Sequence, residues 1–251
     1  MIISLANQKG GVGKSTTAQN LNAGLQLEGY KTLVIDLDPQ GNLSYAMNVE
    51  TPNKTAYDLL NGDNDCITHT EQGDLIASDK RLASIELDKE GLAYHLKNAL
   101  EGIRGAYDVV LIDNAPTLSK LTTNALTASN GVIIPVEASI YSLQGLGQLN
   151  ETITAVKQYT NSDLQTLGIV ITRFNSRIVL NQTIADMLER ASKSLDTKVY
   201  ETRIREAVAI REAQAFQQDI FSYDPQANVA KDYKAFTNEV IEGMKKYEQS
   251  R

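Results

Sequence analysis

Short apolar runs recur along this 251-residue chain, and amphipathic stretches long enough to form helices separate them. Several runs are apolar at every position, which is typical of parallel strands that are covered on both faces. Strands that alternate with helices predict an α/β fold, namely a doubly wound, mostly parallel sheet with helices on both faces. The predicted strands are residues 2–6, 32–35, 75–77, 109–112, 132–136, 167–172 and 198–204.

The composition is that of an ordinary globular protein, with 42% hydrophobic and 22% charged residues. No repeat or Pro/Gly/Ser-rich linker divides the chain, so residues 1–251 are predicted to form a single domain. No apolar run approaches the ~18–20 residues that span a bilayer, and the N-terminus lacks the basic start of a signal peptide. Cys66 is the only cysteine, which excludes an intramolecular disulfide. These features predict a cytoplasmic protein.

The net charge of −7 argues against nucleic-acid binding through overall charge. The charge is unevenly distributed, however. Residues 1–167 balance at −8, residues 168–211 carry 8 basic and 5 acidic side chains and balance at +3, and residues 212–251 balance at −2. Two interpretations of the basic segment stay open: chance variation on a solvated surface, and a local basic face that contacts phosphates.

A glycine-rich loop, NQKGGVGKST at residues 7–16, lies between the first predicted strand and a predicted helix at residues 17–27. Its glycines let backbone N–H groups turn inward around phosphate oxygens, and the helix directs its positive dipole end at the same anion. Lys14 is placed to reach the β- and γ-phosphates of a nucleotide, and the Ser15 hydroxyl is a natural Mg²⁺ ligand. The general pattern G-x-x-x-x-G-K-[ST] fails only at its first position, where the chain has Gln8.

Acidic residues follow two further predicted strands, at the edge where ligands bind in doubly wound sheets. The segment DLDPQGN occupies residues 36–42, and DNAP occupies residues 113–116. An apolar strand that ends in an aspartate is typical of a Walker B motif, so Asp113 is predicted to hold Mg²⁺ through water. Phosphoryl transfer to water needs an acceptor that orients the nucleophile; Asp38 is the candidate, with Asp36 supporting the metal or the loop. Turn or helix-cap carboxylates are the alternative interpretation of both residues.

Together these motifs resemble those of one protein family. The loop KGGVGKST, residues 9–16, brackets a glycine-rich turn with two lysines and resembles the variant phosphate loop of the ParA/MinD and nitrogenase iron-protein superfamily. The segment DLDPQGN resembles switch I of ParA proteins, so the chain is identified as a ParA/Soj-type ATPase. Family members usually read D-x-P-P after the Walker B strand, and Ala115 departs from that pattern. The segments FSYDP and AKDY, at residues 221–225 and 230–233, resemble the C-terminal pattern of the family.

The resemblance implies a P-loop ATPase that binds ATP and Mg²⁺ and forms a face-to-face homodimer. Lys9 is expected to act on the nucleotide of the partner subunit, and Lys9, Lys14 and Asp38 are the expected catalytic residues. Asn175 is expected to hydrogen-bond the adenine, although an Asn after a strand is also a common turn residue. The expected nucleotide-binding residues are Gly10, Gly11, Val12, Gly13, Lys14, Ser15, Thr16 and Asn175, and the expected metal-binding residues are Ser15, Asp36 and Asp113.

The same resemblance implies a role in DNA partition for a plasmid or chromosome. The ATP-bound dimer is expected to bind DNA of any sequence on the nucleoid, and to leave it when a ParB-like centromere-binding partner stimulates an otherwise slow hydrolysis. Because the phosphate loop begins so near the N-terminus, no helix-turn-helix domain for operator binding is expected. The candidate DNA contacts are Arg177, Arg190, Lys193, Arg203, Arg205 and Arg211, of which Arg203 and Arg205 would share a face in a strand.

Two related classes of protein share the variant phosphate loop. The nitrogenase iron protein needs two cysteines per subunit for its cluster, and a single Cys66 excludes that class. A MinD-like regulator that cycles on a membrane, or positions another cargo, is the alternative function. It requires a basic amphipathic C-terminal helix, whereas residues 229–247 mix acidic and basic side chains with apolar ones at helical spacing and are predicted to pack on the sheet.

Overall fold

The computed structural model describes residues 1–85, 92–139 and 141–249. Within these residues seven strands form one sheet, in the spatial order β3-β4-β2-β5-β1-β6-β7. Every neighbouring pair is parallel except β3 and β4. The predicted α/β class is therefore confirmed. The strands are β1 (Ile2–Leu5), β2 (Thr32–Asp36), β3 (Thr68–Thr70), β4 (Gly73–Ile76), β5 (Val109–Asp113), β6 (Gly131–Glu137) and β7 (Gln165–Thr172).

The central strands are buried on both faces, which explains why they are apolar at every position. All residues of β1, β2 and β5 are buried. Because successive side chains point to opposite faces of a sheet, Ile3 and Leu111 join one hydrophobic cluster while Ile2 and Val110 join the other. The sheet therefore separates these two clusters, and a third cluster includes buried residues of β6 and β7.

Helices cover both faces of the sheet. The described ones are α1 (Lys14–Leu27), α2 (Asn42–Ala46), α3 (Ala56–Leu60), α4 (Leu82–Ile85), α5 (His95–Glu101), α6 (Lys120–Ala128), α7 (Tyr141–Tyr159), α8 (Val179–Ser194), α9 (Val208–Ala215), α10 (Ile220–Tyr223) and α11 (Asn228–Gln249), with 3-10 turns at Leu92–Tyr94 and Arg104–Ala106. Among the described residues, no helix is both long and apolar enough to cross a membrane.

Helix α11 packs its apolar face into the core, as its mixed charges predict. Tyr233, Phe236 and Val240 are buried in the cluster that also contains residues of β1 and β2. The helix lies close against α1, since a Cβ atom added at Gly24 would collide with the side chain of Thr237. Glycine at position 24 thus allows the two helices to approach each other.

The prediction of a strand at residues 198–204 is wrong. The segment runs beside β7 and makes only isolated bridges, Ile169 to Val199 and Phe174 to Arg205. Between these bridges, the N–H groups of Glu201 and Thr202 donate to the side chain of Glu239 in α11, at 2.9 and 2.8 Å. The Glu239 carboxylate therefore accepts two N–H groups that a regular strand would pair with a neighbouring strand. Arg203 and Arg205 do not belong to a strand.

Candidate active site

The carboxyl ends of three neighbouring strands bring the predicted motifs together. Asp36 ends β2 and Asp113 ends β5, and the two residues are register partners in the sheet. Leu5, the last residue of β1, is the register partner of Asp113 on its other side. Because parallel strands end at one edge, the glycine-rich loop after β1 meets both aspartates there.

The glycine-rich loop has the backbone conformation that its sequence predicts. Gly11 and Gly13 have φ angles of 75° and 83°, in the left-handed region that favours glycine. The carbonyl of Gly13 accepts the N–H of Thr17 at 2.8 Å, which starts α1 directly after the loop. The hydroxyl of Thr172, at the end of β7, donates to the carbonyl of Val12 at 2.8 Å. The loop is therefore fixed to the sheet, and α1 begins directly after it.

The two lysines of the loop differ in their surroundings. Lys14 is buried, and its ammonium donates to the carbonyl of Lys9 at 3.3 Å. Burial lowers the pKa of Lys14, while Asp113 and Asp38 act in the opposite direction. Lys9 is about one-third exposed and forms an ion pair with Glu137 at 2.7 Å. Lys14 thus lies among the acidic groups of the site, whereas Lys9 lies at its rim.

Asp113 is fully buried, and neither carboxylate oxygen has a well-aligned hydrogen-bond partner among the described residues. Burial raises its pKa well above the ordinary value and Asp36 raises it further, while the neighbouring Ser15 hydroxyl and Lys14 lower it. A buried carboxylate without a well-aligned hydrogen-bond partner favours a cation. No group of three or more His, Cys, Asp and Glu side chains in the described ranges could hold a metal ion. Asp113 and Ser15 supply hard oxygen donors, which suit Mg²⁺. Water and phosphate oxygens would complete its coordination shell.

Asp36 and Asp38 are held in one hydrogen-bonded loop that leads into α2. Asp36 is fully buried; one oxygen accepts the N–H of Asp38 at 3.1 Å, and the other accepts the N–H and hydroxyl of Ser44 at 2.8 and 2.7 Å. Burial raises the pKa of Asp36 to about 6, although the bonds from Ser44 oppose the rise. The Asp38 carboxylate accepts the N–H of Gln40 at 3.0 Å, and its carbonyl accepts the hydroxyl of Ser78. The contacts of Asp36 are therefore with its own loop and α2.

A cavity of about 140 Å³ adjoins the end of the glycine-rich loop. Its walls include Thr16, Arg173, Glu206 and Ile210, and Gln214 donates to the hydroxyl of Thr16 at 2.7 Å. The cavity lies between α1 and the segment that precedes and forms α9. The residues that line the cavity are distant in the sequence and form no motif, so the sequence did not predict it.

Asn175 uses its side chain in a turn. Its Oδ1 accepts the N–H of Arg177 at 3.0 Å, and its carbonyl accepts the N–H of Ile178 at the start of α8. Asn175 is not among the residues that line the cavity beside Thr16. An adenine contact from Asn175 stays a prediction.

The candidate DNA contacts divide into two kinds. Arg203 donates to Glu189 at 3.1 Å, and Arg205 makes two side-chain bonds to Asp232 at 2.6 and 2.7 Å. The other four candidates are exposed, and none has a carboxylate partner among the described residues; they are Arg177, Arg190, Lys193 and Arg211. Arg205 and Arg211 also line the cavity beside Thr16.

Sequence analysis also missed the residues that support the site. Ser44 and Ser78 hold the Asp36–Asp38 loop, and Glu137 and Ser139 hold the Lys9 side chain at 2.7 and 2.9 Å. Their partners are distant in the chain, so no local pattern reveals them. The one available signal is position, because Glu137 directly follows the predicted strand 132–136 at the same edge of the sheet.

Comparison with known proteins identifies the family. A family model described as an AAA domain matches residues 1–166. The sporulation initiation inhibitor protein Soj of Bacillus subtilis is 38% identical over 249 residues, which are 95% of this chain and 97% of that protein. This chain belongs to the ParA/Soj family of partition ATPases. The chromosome partitioning protein ParA of Caulobacter vibrioides is a further member of this family, 36% identical over 252 residues, which are 96% of this chain and 93% of that protein.

Solved structures agree with the predicted fold. Cobyrinic acid a,c-diamide synthase from Mycobacterium smegmatis, with bound ADP and magnesium, superimposes with a TM-score of 0.84 at 30% identity, over 97% of this chain and 95% of that one. A plasmid partition protein from Borrelia burgdorferi, bound to AMPPNP, gives a TM-score of 0.79 at 27% identity over 96% and 98%. Both the predicted family and the predicted fold are therefore confirmed.

Proposed function

We propose that this ParA/Soj-family chain is a DNA-partition ATPase that binds ATP and Mg²⁺ at the carboxyl edge of β1, β2 and β5. The observation that carries the proposal is the meeting of Lys14, Asp38 and Asp113 at this edge, around a loop whose backbone suits phosphates. The neighbouring structures with bound ADP and magnesium, and with AMPPNP, support the same ligands. Residues 1–251 act as a single ATPase domain.

Each group of the site has a distinct role in this proposal. The backbone of residues 10–16 and the ammonium of Lys14 bind the phosphates, because N–H groups and a buried cation stabilise their negative charge. Ser15 and, through water, Asp113 hold Mg²⁺, which neutralises charge that develops on the phosphoryl group. Asp36 fixes the loop that carries Asp38. Asp38 orients the water that attacks the γ-phosphate.

The nucleoside part of ATP occupies the cavity beside Thr16. The cavity adjoins the loop at the point where α1 begins, and Arg173, Ile210 and Gln214 give it both polar and apolar walls. Asn175 lies three residues after the end of β7, and its Oδ1 accepts the N–H of Arg177. Contact between Asn175 and an adenine in this cavity would require that turn to rearrange. Substitution of Ile210 with a charged residue is therefore expected to weaken ATP binding more than substitution of Asn175.

ATP closes a homodimer in which Lys9 contacts the nucleotide of the partner subunit. Hydrolysis is slow in the absence of a ParB-like partner, and the partner accelerates it. The ATP-bound dimer binds DNA without sequence preference, because two copies of the basic segment 168–211 double the number of phosphate contacts. Hydrolysis then releases the protein from the nucleoid and completes one cycle of partition.

The C-terminal helix argues against a MinD-like membrane cycle. An interfacial helix needs an apolar face that is free to enter lipid. In α11 this face is buried against α1 and the sheet, through residues such as Phe236 and Val240. Membrane binding would require α11 to leave the core.

The test uses Asp38→Ala, which should accumulate the ATP-bound state. Binding to non-specific duplex DNA and to anionic vesicles is measured with ATP, ADP or no nucleotide, at several salt concentrations. The expected result is salt-sensitive DNA binding with ATP only. Vesicle binding without DNA binding would replace the partition proposal with the membrane alternative. A variant that stays monomeric with ATP would contradict the dimer mechanism.

A further inference from the structure

The side chain of Lys9 is held within its own subunit by residues at the end of β6. Its ammonium donates to Glu137 Oε2 at 2.7 Å and to the hydroxyl of Ser139 at 2.9 Å. Lys9 and Glu137 are each about one-third exposed, so this pair lies at the surface of the site and in reach of another molecule. We call Glu137 and Ser139 the Lys9 clamp.

The Lys9 clamp is preformed, because its members are fixed by a tight turn before α7. The N–H of Ser139 donates to the carbonyl of Glu137 at 2.7 Å, and the buried Ser142 donates its hydroxyl to the same carbonyl at 2.6 Å. The hydroxyls of Ser139 and Ser142 lie 3.0 Å apart. The backbone of Glu137 and the hydroxyl of Ser139 are therefore held in place beside Lys9.

The backbone of Lys9 is anchored to the same strand. Asn7 is buried; its amide donates to the carbonyl of Pro135 in β6 at 2.7 Å, and its Oδ1 accepts the N–H of Lys9 at 2.9 Å. Pro135 and Glu137 belong to one short strand. The backbone of Lys9 is thus tied to β6, and its partly exposed side chain can turn away from the clamp.

We propose that the Lys9 clamp restrains dimerisation by retaining Lys9 in its own subunit until a partner subunit's triphosphate replaces Glu137 as its counter-ion. This inference rests on the proposed role of Lys9 in the partner's site. One ammonium cannot stay in the clamp and also extend across an interface, so each subunit must break its Lys9–Glu137 pair when the dimer closes. A partly exposed ion pair is weak and screened by salt, so a triphosphate can displace it. The clamp sets the ATP-dependent threshold at which the dimer forms.

The direct test is Glu137→Gln in the Asp38→Ala background, where hydrolysis does not deplete the dimer. The amide keeps the shape of the side chain but removes its charge, so Lys9 is held less strongly. We expect the ATP-dependent dimer to form about three- to tenfold more tightly, measured by sedimentation, because two clamps open per dimer. ATP affinity of the monomer, measured with a fluorescent analogue at low protein concentration, should not change.

Three further variants make the test specific. Ser139→Ala should shift dimerisation in the same direction by a smaller factor, and Glu137→Asp, which keeps the charge, should restore the parent value at least in part. Glu28→Gln removes one exposed glutamate at the opposite end of α1 and should have no effect. The difference between Glu137→Gln and its parent should also shrink between about 50 mM and 500 mM salt.

Two outcomes would overturn the clamp. Unchanged dimerisation of Glu137→Gln would mean that the ion pair does not restrain Lys9. Weaker dimerisation would mean that Glu137 directs Lys9 toward the partner instead. Lys9→Ala separates this inference from the proposed function: if Lys9→Ala dimerises as well as its parent, the proposed role of Lys9 in the partner's site is itself wrong. If Lys9→Ala stays monomeric while Glu137→Gln matches its parent, only the clamp is wrong.

Discussion

The carboxyl edge of the sheet and the basic segment 168–211 both carry charged side chains, but these side chains differ in burial and in pairing. At the edge, Asp36 and Asp113 are fully buried, and Asp113 has no well-aligned hydrogen-bond partner among the described residues. In the basic segment the charges lie at the surface, and Arg203 and Arg205 are already paired with carboxylates. The edge therefore stores unfavourable electrostatic energy that a ligand can relieve, whereas the basic segment stores little.

This difference indicates how each region should respond to its ligand. A buried carboxylate gains strongly from a bound cation, and a buried ammonium gains strongly from a bound phosphate. In both cases the cost of removing the group from water has already been incurred in folding. Exposed cations gain mainly by releasing counter-ions, and each contributes modestly. Single substitutions should thus abolish function at the edge and only weaken it in the basic segment.

The largest effect is expected for Asp113→Asn at the edge. The substitution keeps the size of the side chain but removes the charge that favours Mg²⁺, so ATP hydrolysis should fall by about 100-fold or more. Phosphate release at saturating ATP and varied Mg²⁺ measures this effect. Asp65→Asn is the matched control, because the Asp65 side chain is 96% exposed, and its rate should stay at the parent value. Near-parent hydrolysis by Asp113→Asn would remove Asp113 from the metal site.

The same substitution should have the opposite effect on stability. Without nucleotide, Asp113→Asn removes a carboxyl group whose ionised form is disfavoured by burial, and it should raise the free energy of unfolding by about 1–3 kcal/mol at pH 8. Because the pKa of Asp113 is raised in the folded state, folded wild-type protein retains a proton that the unfolded chain has lost. Its stability therefore falls as pH rises from the ordinary aspartate pKa toward the raised one.

Chemical denaturation between pH 4 and pH 8 tests this sign. The advantage of Asp113→Asn should be near zero at pH 4, grow as pH rises and then become constant. Asp65→Asn should show no such growth. A variant that is less stable than wild type at pH 8 would mean that Asp113 makes a favourable contact in the folded protein, and the contrast between the two regions would lose its basis.

The sequence predicts the central strands well and the outer segments of the sheet poorly. Residues 2–6, 32–35 and 109–112 are predicted as strands because burial on both faces leaves an apolar signature, and the structure confirms them with shifts of one residue. The strand Thr68–Thr70 was missed because it is short and polar. The false strand at 198–204 has the right composition, but Glu239, far along the chain, takes two of its N–H groups.

Within the site, the sequence predicts the residues that local backbone geometry places, but not those that depend on distant contacts. Glycines of the phosphate loop and aspartates at strand ends predict their own positions, since local backbone geometry and strand direction determine them. The Ser44 and Ser78 contacts depend on how α2 folds back over β2, which no local pattern specifies. Charge balance predicts a basic segment but not its pairing, so Arg205 and Arg211 look alike in sequence and differ in the structure.

A smaller effect is expected in the basic segment. Arg190 and Lys193 are exposed on α8 without a carboxylate partner among the described residues, so Arg190→Ala with Lys193→Ala should weaken ATP-dependent DNA binding about tenfold. The slope of log affinity against log salt should decrease by about 1 for each phosphate contact that is lost. Lys231→Ala with Lys234→Ala removes the same charge from exposed positions of α11 and serves as the control. Equal losses in both double variants would indicate that net charge, and not the α8 surface, attracts DNA.

The smallest effect is expected for the Arg205–Asp232 pair. Arg205 donates two side-chain bonds to Asp232, but its side chain is 48% exposed. A double-mutant cycle with Arg205→Ala and Asp232→Ala should therefore give a coupling energy below about 1 kcal/mol, which decreases in high salt. A pair this weak can exchange Asp232 for a DNA phosphate, so pairing in the free protein leaves Arg205 available as a DNA contact. A coupling above about 2 kcal/mol would instead make Arg205 a structural residue, and the cationic surface would then be formed by the side chains on α8 and α9 that have no carboxylate partner among the described residues.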